Sequence, residues 1–182
     1  MSIHQEYAKY GVDNYYKFYG DTYQNHHYEQ ITKLLIKNIP LIINNKNTKI
    51  LDLCCGDGLV TSVLTHLNYN NICGCDPYLD KKYSSSTNKY CYNYNFIDII
   101  NGKLDDEFNV VICSFAMHLC DKNNLFCLIS QLQYNSNMEK LIIITPHKNP
   151  DLNDICNIDY QDYELTKKGS KVRFRLYDFT KN

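Results

Sequence analysis

Residues 50 to 60 read ILDLCCGDGLV, and this stretch decides the fold. The apolar run TKILDLC at 48–54 is typical of a strand that is buried on both faces of a parallel sheet. Gly56 and Gly58 follow it, and glycine permits backbone shapes that other residues rarely adopt. Apolar residues then recur at helical spacing, at Leu59, Val60, Val63, Leu64 and Leu67. The stretch therefore predicts a strand, a tight turn and a helix.

The rest of the chain repeats this alternation. Further strands are predicted at 71–76, 89–98, 108–114 and 140–146, and an antiparallel hairpin at 162–179 around Lys-Gly-Ser. Helices are predicted at 28–39, ended by Pro40, and after Asp121, while SSSTNKY at 84–90 is predicted to be a loop. Alternating strands and helices predict an α/β fold, with a mostly parallel, doubly wound sheet and the hairpin at its edge.

Length and composition favour one domain. The chain has 182 residues, of which 44% are hydrophobic and 21% charged. We expect a single domain over 1–182, with a helical, tyrosine-rich lid at 1–45 and the sheet-containing core at 48–182. No membrane span or signal peptide is recognisable, so a cytoplasmic protein is expected. The abundance of Asn, Ile, Lys and Tyr suggests an AT-rich genome, and a viral source would mean the host cytoplasm.

Charge and cysteine content exclude some classes of protein. The net charge of −1 removes the broad positive field of a protein that coats nucleic acid. The nine cysteines are an odd number, and several lie in apolar runs, which favours reduced thiols. The spacing of Cys54-Cys55 and of Cys73 to Cys75 lacks the zinc-ribbon pattern, so no obligatory metal is expected. The oligomeric state stays open.

The glycine turn is the predicted ligand site. In open α/β sheets, ligands bind beyond the carboxyl ends of strands, and a helix N-terminus carries partial positive charge. Asp52 and Asp57 at this turn would repel a pyrophosphate but not a ligand with an amino group and a sulfonium. Asp76, at the end of the second strand, is placed to accept both hydroxyls of a ribose. Asp98 is a candidate acceptor for an adenine amine.

The segments LDLCCGDG, CGCDPY, FID and VVICSFAMHL together resemble the class I S-adenosylmethionine-dependent methyltransferases over residues 48 to about 146. The resemblance implies a Rossmann-like, seven-stranded sheet, S-adenosylmethionine as cofactor and S-adenosylhomocysteine as product. The family's acidic-x-Gly-x-Gly-x-Gly pattern is met by Asp52, Cys54, Gly56 and Gly58, with Cys54 a departure at the first glycine. Asn109, where many members have Asp, is a second departure. A nicotinamide dinucleotide site, the lesser alternative, would require Gly-x-Gly-x-x-Gly without these acids.

Candidate site residues follow from the turn and the resemblance together. For the cofactor they are Asp52, Cys54, Gly56, Gly58, Asp76, Pro77, Ile97, Asp98, Ser114, Phe115, Tyr19 and Tyr23. His118, at the end of the fourth predicted strand, is the candidate catalytic base, with a histidine bonded only within its loop as the alternative. Tyr15, Tyr19, Tyr23 and His27 are candidates for a lid, where an aromatic face can hold a sulfonium or stack on a substrate ring, and His27 is also a candidate substrate contact.

Arg173 and Arg175 are the chain's two arginines and share one face of the last predicted strand. They are candidates for binding an anionic substrate or an RNA backbone, and the alternative is a charged, solvated edge strand. The leading functional hypothesis is methylation of a small molecule or a small exposed group. The alternatives are methylation of an RNA cap or RNA end and a non-catalytic partner subunit that keeps the fold. No Asn-Pro-Pro-Tyr motif is present, which argues against base amino-methylation by that route.

Overall fold

A computed structural model of the chain describes residues 3–22, 25–150, 152 and 155–181. Seven strands form one sheet: β1 Ile50–Leu53, β2 Ile72–Cys75, β3 Cys91–Tyr92, β4 Val110–Ser114, β5 Lys140–Thr145, β6 Tyr160–Leu165 and β7 Lys171–Asp178. Their order is β3-β2-β1-β4-β5-β7-β6, and β1 to β5 are parallel. β7 runs antiparallel between β5 and β6. The predicted Rossmann-like fold with a C-terminal antiparallel hairpin is confirmed.

Helices cover both faces of the sheet. They are α1 Ile3–Tyr10, α2 Val12–Tyr19, α3 Tyr28–Ile42, α4 Leu59–His66, α5 Asp80–Thr87, α6 Phe96–Ile100 and α7 Lys122–Ser136. One core cluster joins α3 and α4 to the sheet through side chains such as Leu34 and Leu64. The other joins α6 and α7 to the opposite face through Ile99 and Leu128. Burial of these apolar faces is the main force that holds the helices in place.

The start of α7 follows the sequence prediction. Asp121 Oδ1 accepts a hydrogen bond from the backbone N–H of Asn123 at 2.9 Å, as expected of an N-cap residue. The predicted inner face is buried at Leu125, Leu128, Ile129 and Leu132. Local capping and apolar spacing are therefore sufficient to define this helix.

The prediction of a long third strand at 89–98 was wrong. β3 has two residues, and α6 begins at Phe96. Asn95 and Asp98 form a capping box, in which the Asn95 side chain accepts from Asp98 N at 2.9 Å and Asp98 Oδ2 accepts from Asn95 N at 3.1 Å. The two reciprocal bonds turn the chain from strand into helix.

Two other local predictions were wrong. The segment 84–90 was expected to be a loop, but α5 extends to Thr87 because Tyr83 is buried and anchors a polar helix. Pro40 was expected to end a helix, yet α3 continues through it to Ile42. Proline removes only one backbone donor, and this loss falls in the last turn, where it costs least.

The strand order positions one crevice. The chain runs outward from β1 to β2 and β3 on one side, and to β4 and β5 on the other. The connections after β1 and β4 therefore leave the sheet in opposite directions and open a gap at their carboxyl ends.

Among the described residues, no helix combines the length and apolar character needed to cross a membrane.

Candidate active site

A cavity of about 320 Å³ lies in this crevice. It is lined by the turn after β1, the end of β2, the start of α6, the end of β4 and part of α2. Eight of the predicted cofactor residues line it: Asp52, Cys54, Gly56, Asp76, Pro77, Ile97, Ser114 and Phe115. The structure therefore brings together predicted residues that lie as far apart in sequence as Asp52 and Phe115.

The turn after β1 has an uncommon backbone. Cys54, Gly56 and Gly58 all have positive φ angles, of 56°, 57° and 92°. In this left-handed region a residue with a Cβ is strained by about 1 kcal/mol, which explains why the motif favours glycine and why Cys54 is its costly position. A Cβ on Gly56 would meet no atom within 4 Å, so this face of the turn is open.

Gly58 has a structural role instead of lining the cavity. A Cβ at this position would collide with Thr87 Cγ2 and lie 3.3 Å from the ring of Tyr83. Gly58 also directly precedes α4. It therefore allows the first turn of α4 to pack closely against α5.

Asp52 is buried at the end of β1. Its Oδ2 accepts hydrogen bonds from Thr61 N at 3.2 Å and Thr61 Oγ1 at 2.8 Å, and Thr61 Oγ1 lies 2.8 Å from the Tyr83 hydroxyl. Burial raises the pKa of Asp52 to about 7, although the bonds from Thr61 oppose this effect. A cation that entered the cavity would favour the ionised carboxylate.

Asp76 connects the end of β2 to the turn after β1. Its Oδ1 accepts from Tyr78 N and Leu79 N, each at 2.9 Å, and its Oδ2 accepts from Gly56 N at 3.1 Å. A carboxylate has about four acceptor positions, so about one remains, on Oδ2. The expected contact with both hydroxyls of a ribose exceeds this capacity, and the geometry favours one.

Asp98 does not reach the cavity. It lies on α6, not on a strand, and its Oδ1 accepts from Lys103 Nζ at 2.6 Å. This bond, together with the one from Asn95 N, holds the pKa of Asp98 below its ordinary value. Its two neighbours Phe96 and Ile97 line the cavity in its place. The role predicted for Asp98 with an adenine amine has no support from these contacts.

The wall after β4 pairs Phe115 with His27. Phe115 has a positive φ of 61°, and the centroid of its ring is 5.0 Å from that of His27. The Nδ1 atom of His27 is buried and has no hydrogen-bond partner among the described residues, while burial lowers the pKa of this imidazole. The His27 backbone N–H donates to Asn25 Oδ1 at 2.9 Å, and Asn25 lines the cavity.

His118 lies in a short 3₁₀ turn, Met117–Leu119, after β4. Its ring centroid is 4.7 Å from that of His147, in the segment after β5. The neighbouring Leu119 lines the cavity, whereas His118 does not. Sequence reasoning missed His147, because nothing in its own segment marks it.

The N-terminal helices contribute a tyrosine that was not predicted. Val12 and Tyr16, four residues apart on one face of α2, both line the cavity. Tyr19 is 42% exposed and packs against Tyr10 and Tyr15, with centroids 5.7 Å apart in each pair. Tyr23 lies outside the described residues. The helical spacing of Val12 and Tyr16 was the signal that could have identified Tyr16.

The expectation of an exposed arginine patch on an edge strand was wrong. Arg173 and Arg175 share a face of β7, as predicted, but β7 is an inner strand. Arg175 is 7% exposed and donates through Nη1 to Pro150 O at 3.0 Å, and Arg173 donates through Nη1 to Pro146 O at 3.0 Å. Both side chains therefore hold the segment that follows β5.

Metal ligation has no obvious location in the described part of the chain. No group of three or more His, Cys, Asp or Glu side chains is arranged there to hold an ion. The Sγ atoms of Cys55 and Cys91 are 3.5 Å apart. Both are buried as free thiols.

Solved structures share this fold. Magnesium protoporphyrin IX methyltransferase from Synechocystis PCC 6803 with bound S-adenosylmethionine aligns with a TM-score of 0.62 and 15% identity, over 97% of this chain and 95% of that one. The N-methyltransferase NodS from Bradyrhizobium japonicum WM9, in complex with S-adenosylhomocysteine, aligns with a TM-score of 0.64 and 10% identity, over 81% and 84%. The methyltransferase domain of bacterial CtHen1-CN aligns with a TM-score of 0.59 and 13% identity, over 81% and 99%.

Sequence comparison does not assign the chain to a family. An uncharacterised protein of Schizosaccharomyces pombe is 28% identical over 205 aligned residues, which cover 87% of this chain and 82% of the yeast protein. No protein-family model matches the chain. The molecule thus has the fold of the class I methyltransferases, as the resemblance implied, and its activity has to be argued from the site.

Proposed function

We propose that the protein is an S-adenosylmethionine-dependent methyltransferase that acts on a small molecule or a small exposed group and releases S-adenosylhomocysteine. The observation that carries the proposal is one cavity flanked by Asp52 and Asp76 and closed by a left-handed glycine turn. Solved neighbours with this fold contain S-adenosylmethionine or S-adenosylhomocysteine.

The polar residues of the cavity suit this cofactor. Asp52 makes no ion pair with a described residue, and its carboxylate would hold the amino group. The remaining acceptor position on Asp76 suits one ribose hydroxyl. Ser114 Oγ is buried, has no hydrogen-bond partner among the described residues and belongs to a residue that lines the cavity, so it is available to form a hydrogen bond with a ligand.

The apolar residues of the cavity suit the adenine of the cofactor. Pro77, Phe96 and Ile97 form walls that could enclose a flat adenine. A cavity of about 320 Å³ is within the range of small-molecule sites.

When bound, S-adenosylmethionine supplies a methyl group activated by a sulfonium. The protein must then align the acceptor in line with that bond and exclude competing water. Tyr16 and Phe115 line the cavity, and aromatic rings of this kind can attract a sulfonium by cation–π interaction. We propose that α1 and α2 form the lid, in which Tyr16 is the functional tyrosine, whereas α3, the rest of the segment expected to be a lid, belongs to the buried core.

We propose that His27 contacts the acceptor and takes its proton. Its lowered pKa keeps the imidazole neutral near pH 7, and its buried Nδ1 lacks a partner among the described residues. This arrangement suits an acceptor whose nucleophile carries an N–H or O–H. His27 contacts the lining residues Phe115 and Asn25 but is not itself among the residues that line the cavity. His118, the base proposed from sequence, is the second candidate; it does not line the cavity either and lies against His147.

Calorimetry tests the proposal directly. Titration of the full chain with S-adenosylmethionine, and separately with S-adenosylhomocysteine, should show one site per chain. A protein that binds neither would be a non-catalytic partner subunit that retains only the fold.

The RNA cap or RNA end alternative loses the support of Arg173 and Arg175, because both donate hydrogen bonds to backbone carbonyls. A cytosol-like, reducing compartment is also proposed, in keeping with buried free thiols such as Cys55 and Cys91.

A further inference from the structure

A second cavity, of about 430 Å³, adjoins the first. The two cavities share the residues Tyr16, Pro77, Tyr78 and Leu79, so the stacked rings of Tyr16 and Tyr78 form part of the wall of each. The second cavity, here called the lysine groove, runs between α2 and the start of α5. Its position places any ligand that it holds next to the proposed cofactor.

The lysine groove is basic, although the whole chain is slightly acidic. Lys17 comes from α2, Lys81 and Lys82 come from the first turn of α5, and Asp80 is the one acid among the residues that line it. Lys17 and Lys81 are exposed and form no ion pair with a described residue. Positive side chains are therefore gathered at this groove, and no described carboxylate forms an ion pair with Lys17 or Lys81.

The position of two of these lysines opposes helix stability. The N-terminus of a helix carries partial positive charge, and lysine in the first turn is unfavourable there. The residue before α5, Leu79, provides no side-chain cap. Lys81, Lys82 and the helix end that Leu79 does not cap add their fields in the same direction against the single negative charge of Asp80 in that turn, and an anion in the groove would relieve the remaining repulsion.

The groove also offers an aromatic surface and an amide. Tyr16 and Tyr78 are stacked at 11° with ring centroids 5.8 Å apart. The amide of Asn93 donates weakly to Pro77 O at 3.5 Å, so its Oδ1 is available to a base edge. Lysine binds phosphate as a point charge, and bases stack on tyrosine. Phosphate and a flat heterocycle occur together in nucleotides.

We propose that the lysine groove binds the phosphate and base of a nucleotide, either free or at the end of a single-stranded nucleic acid. This site is separate from the cofactor cavity and goes beyond the proposed methyl transfer. Where the nucleotide is a strand end, the groove, and not the arginine pair predicted from sequence, is the nucleic-acid contact of this molecule.

Fluorescence anisotropy with a fluorescein-labelled decamer of uridylate tests the proposal on the full chain. The unmodified protein should bind, and its affinity should fall as salt is raised from about 50 to 200 mM, since each phosphate contact contributes a slope of about −0.7 in log affinity against log salt. Lys17→Ala combined with Lys81→Ala should weaken binding about tenfold or more and reduce that slope by about 1.4.

The control removes the same charge elsewhere. Lys167→Ala with Lys168→Ala changes two lysines between β6 and β7 and should leave the affinity within about twofold. Competition by uridine monophosphate as strong as that by the decamer supports a free nucleotide as ligand, and competition by the decamer alone supports a strand end.

Three results would overturn the proposal: no binding by the unmodified protein, equal loss in both double variants, or competition by inorganic phosphate as strong as by the nucleotide. Calorimetry with S-adenosylhomocysteine separates the two claims. Decamer binding without S-adenosylhomocysteine binding would defeat the proposed function and leave the lysine groove intact.

Discussion

The ring of Tyr16 on α2 lies 5.8 Å from the ring of Tyr78, nearly parallel to it. This contact joins the N-terminal helices to the segment that follows Asp76. The Asp76 carboxylate accepts hydrogen bonds from the backbone N–H groups of Tyr78 and Leu79 in that segment. A chain of contacts through Tyr78 therefore links the Asp76 carboxylate, at the end of β2, to the N-terminal helices beside the cavity.

Replacing Tyr16 by Ala should loosen the packing of α2 against Tyr78. An aromatic pair contributes about 0.5–1.5 kcal/mol beyond its buried area, so S-adenosylhomocysteine affinity should fall about two- to tenfold. Amide hydrogen exchange in α2 should become faster in the absence of ligand. Phe18→Ala is the control, because Phe18 is 75% exposed on the same helix. Equal exchange rates in the two variants would contradict a latch between Tyr16 and Tyr78.

The affinity for S-adenosylmethionine should depend on pH through Asp52. Its pKa of about 7 means that much of this carboxyl is protonated at pH 6, and a bound cation lowers that pKa by favouring the charged form. Binding must then release a proton, so affinity should rise from pH 5.5 to 7.5. Asp52→Asn should bind more weakly at pH 7.5 and lose most of this slope. Calorimetry in buffers of different ionisation enthalpy measures the proton release.

The same carboxyl should affect the stability of the ligand-free protein. Because its folded pKa lies above the unfolded value of about 3.9, the folded state holds the proton between pH 4 and pH 7. Its contribution is complete below pH 4 and is lost as pH rises through 7. The free energy of unfolding, measured by urea at pH 4.5 and 7.5, should fall more over this range in the unmodified protein than in Asp52→Asn. A parallel decline would show that Asp52 is not responsible.

Asp76→Ala should weaken cofactor binding by about 1.5–3 kcal/mol, the scale of removing a charged hydrogen-bonding group. It also removes the acceptor of Gly56 N–H, so the turn after β1 should lose order. Asp80→Ala is the matched control, since Asp80 starts α5 four residues later without lining this cavity. Unchanged affinity in Asp76→Ala would refute the ribose contact.

Three glycine-to-alanine variants should separate packing from backbone strain. A Cβ at Gly74 would lie 2.6 Å from Tyr83 Cζ and 2.8 Å from Cys55 Sγ, so Gly74→Ala should destabilise the fold by about 1–3 kcal/mol. Gly56→Ala meets no atom but has a φ of 57°, so it should cost about 1 kcal/mol and impair cofactor binding. Gly169→Ala, at a φ of 78° in the hairpin turn, should show similar strain with normal binding. Urea denaturation and calorimetry measure the two effects.

His27 should titrate below the ordinary histidine value of about 6.5. Nuclear magnetic resonance of the imidazole, assigned by comparison with His27→Ala, gives its pKa directly. Once an acceptor is found, His27→Ala should lower turnover while S-adenosylhomocysteine affinity changes less than about twofold. An equal loss in both quantities would make His27 a cofactor contact, and His118→Ala provides the comparison with the other candidate.

Local sequence was sufficient wherever the deciding interactions lie within one segment. The buried strand, the acid and the glycine turn at 50–60 specify β1, the turn and α4, because apolar spacing and left-handed φ angles are properties of adjacent residues. Asp121 defines the start of α7 for the same reason. The alternation of such segments was sufficient to predict the mostly parallel sheet and the edge at which the site is built.

The direction in which each side chain points depended on distant packing. Asp98 bonds to Asn95 and Lys103 instead of facing the cavity, and Arg175 is covered by the segment at Pro150. Tyr16, not Tyr19, faces the site because α2 rests on Tyr78. Periodicity reports which residues share a face, but only the elements packed against that face determine whether it meets solvent, backbone or a cavity.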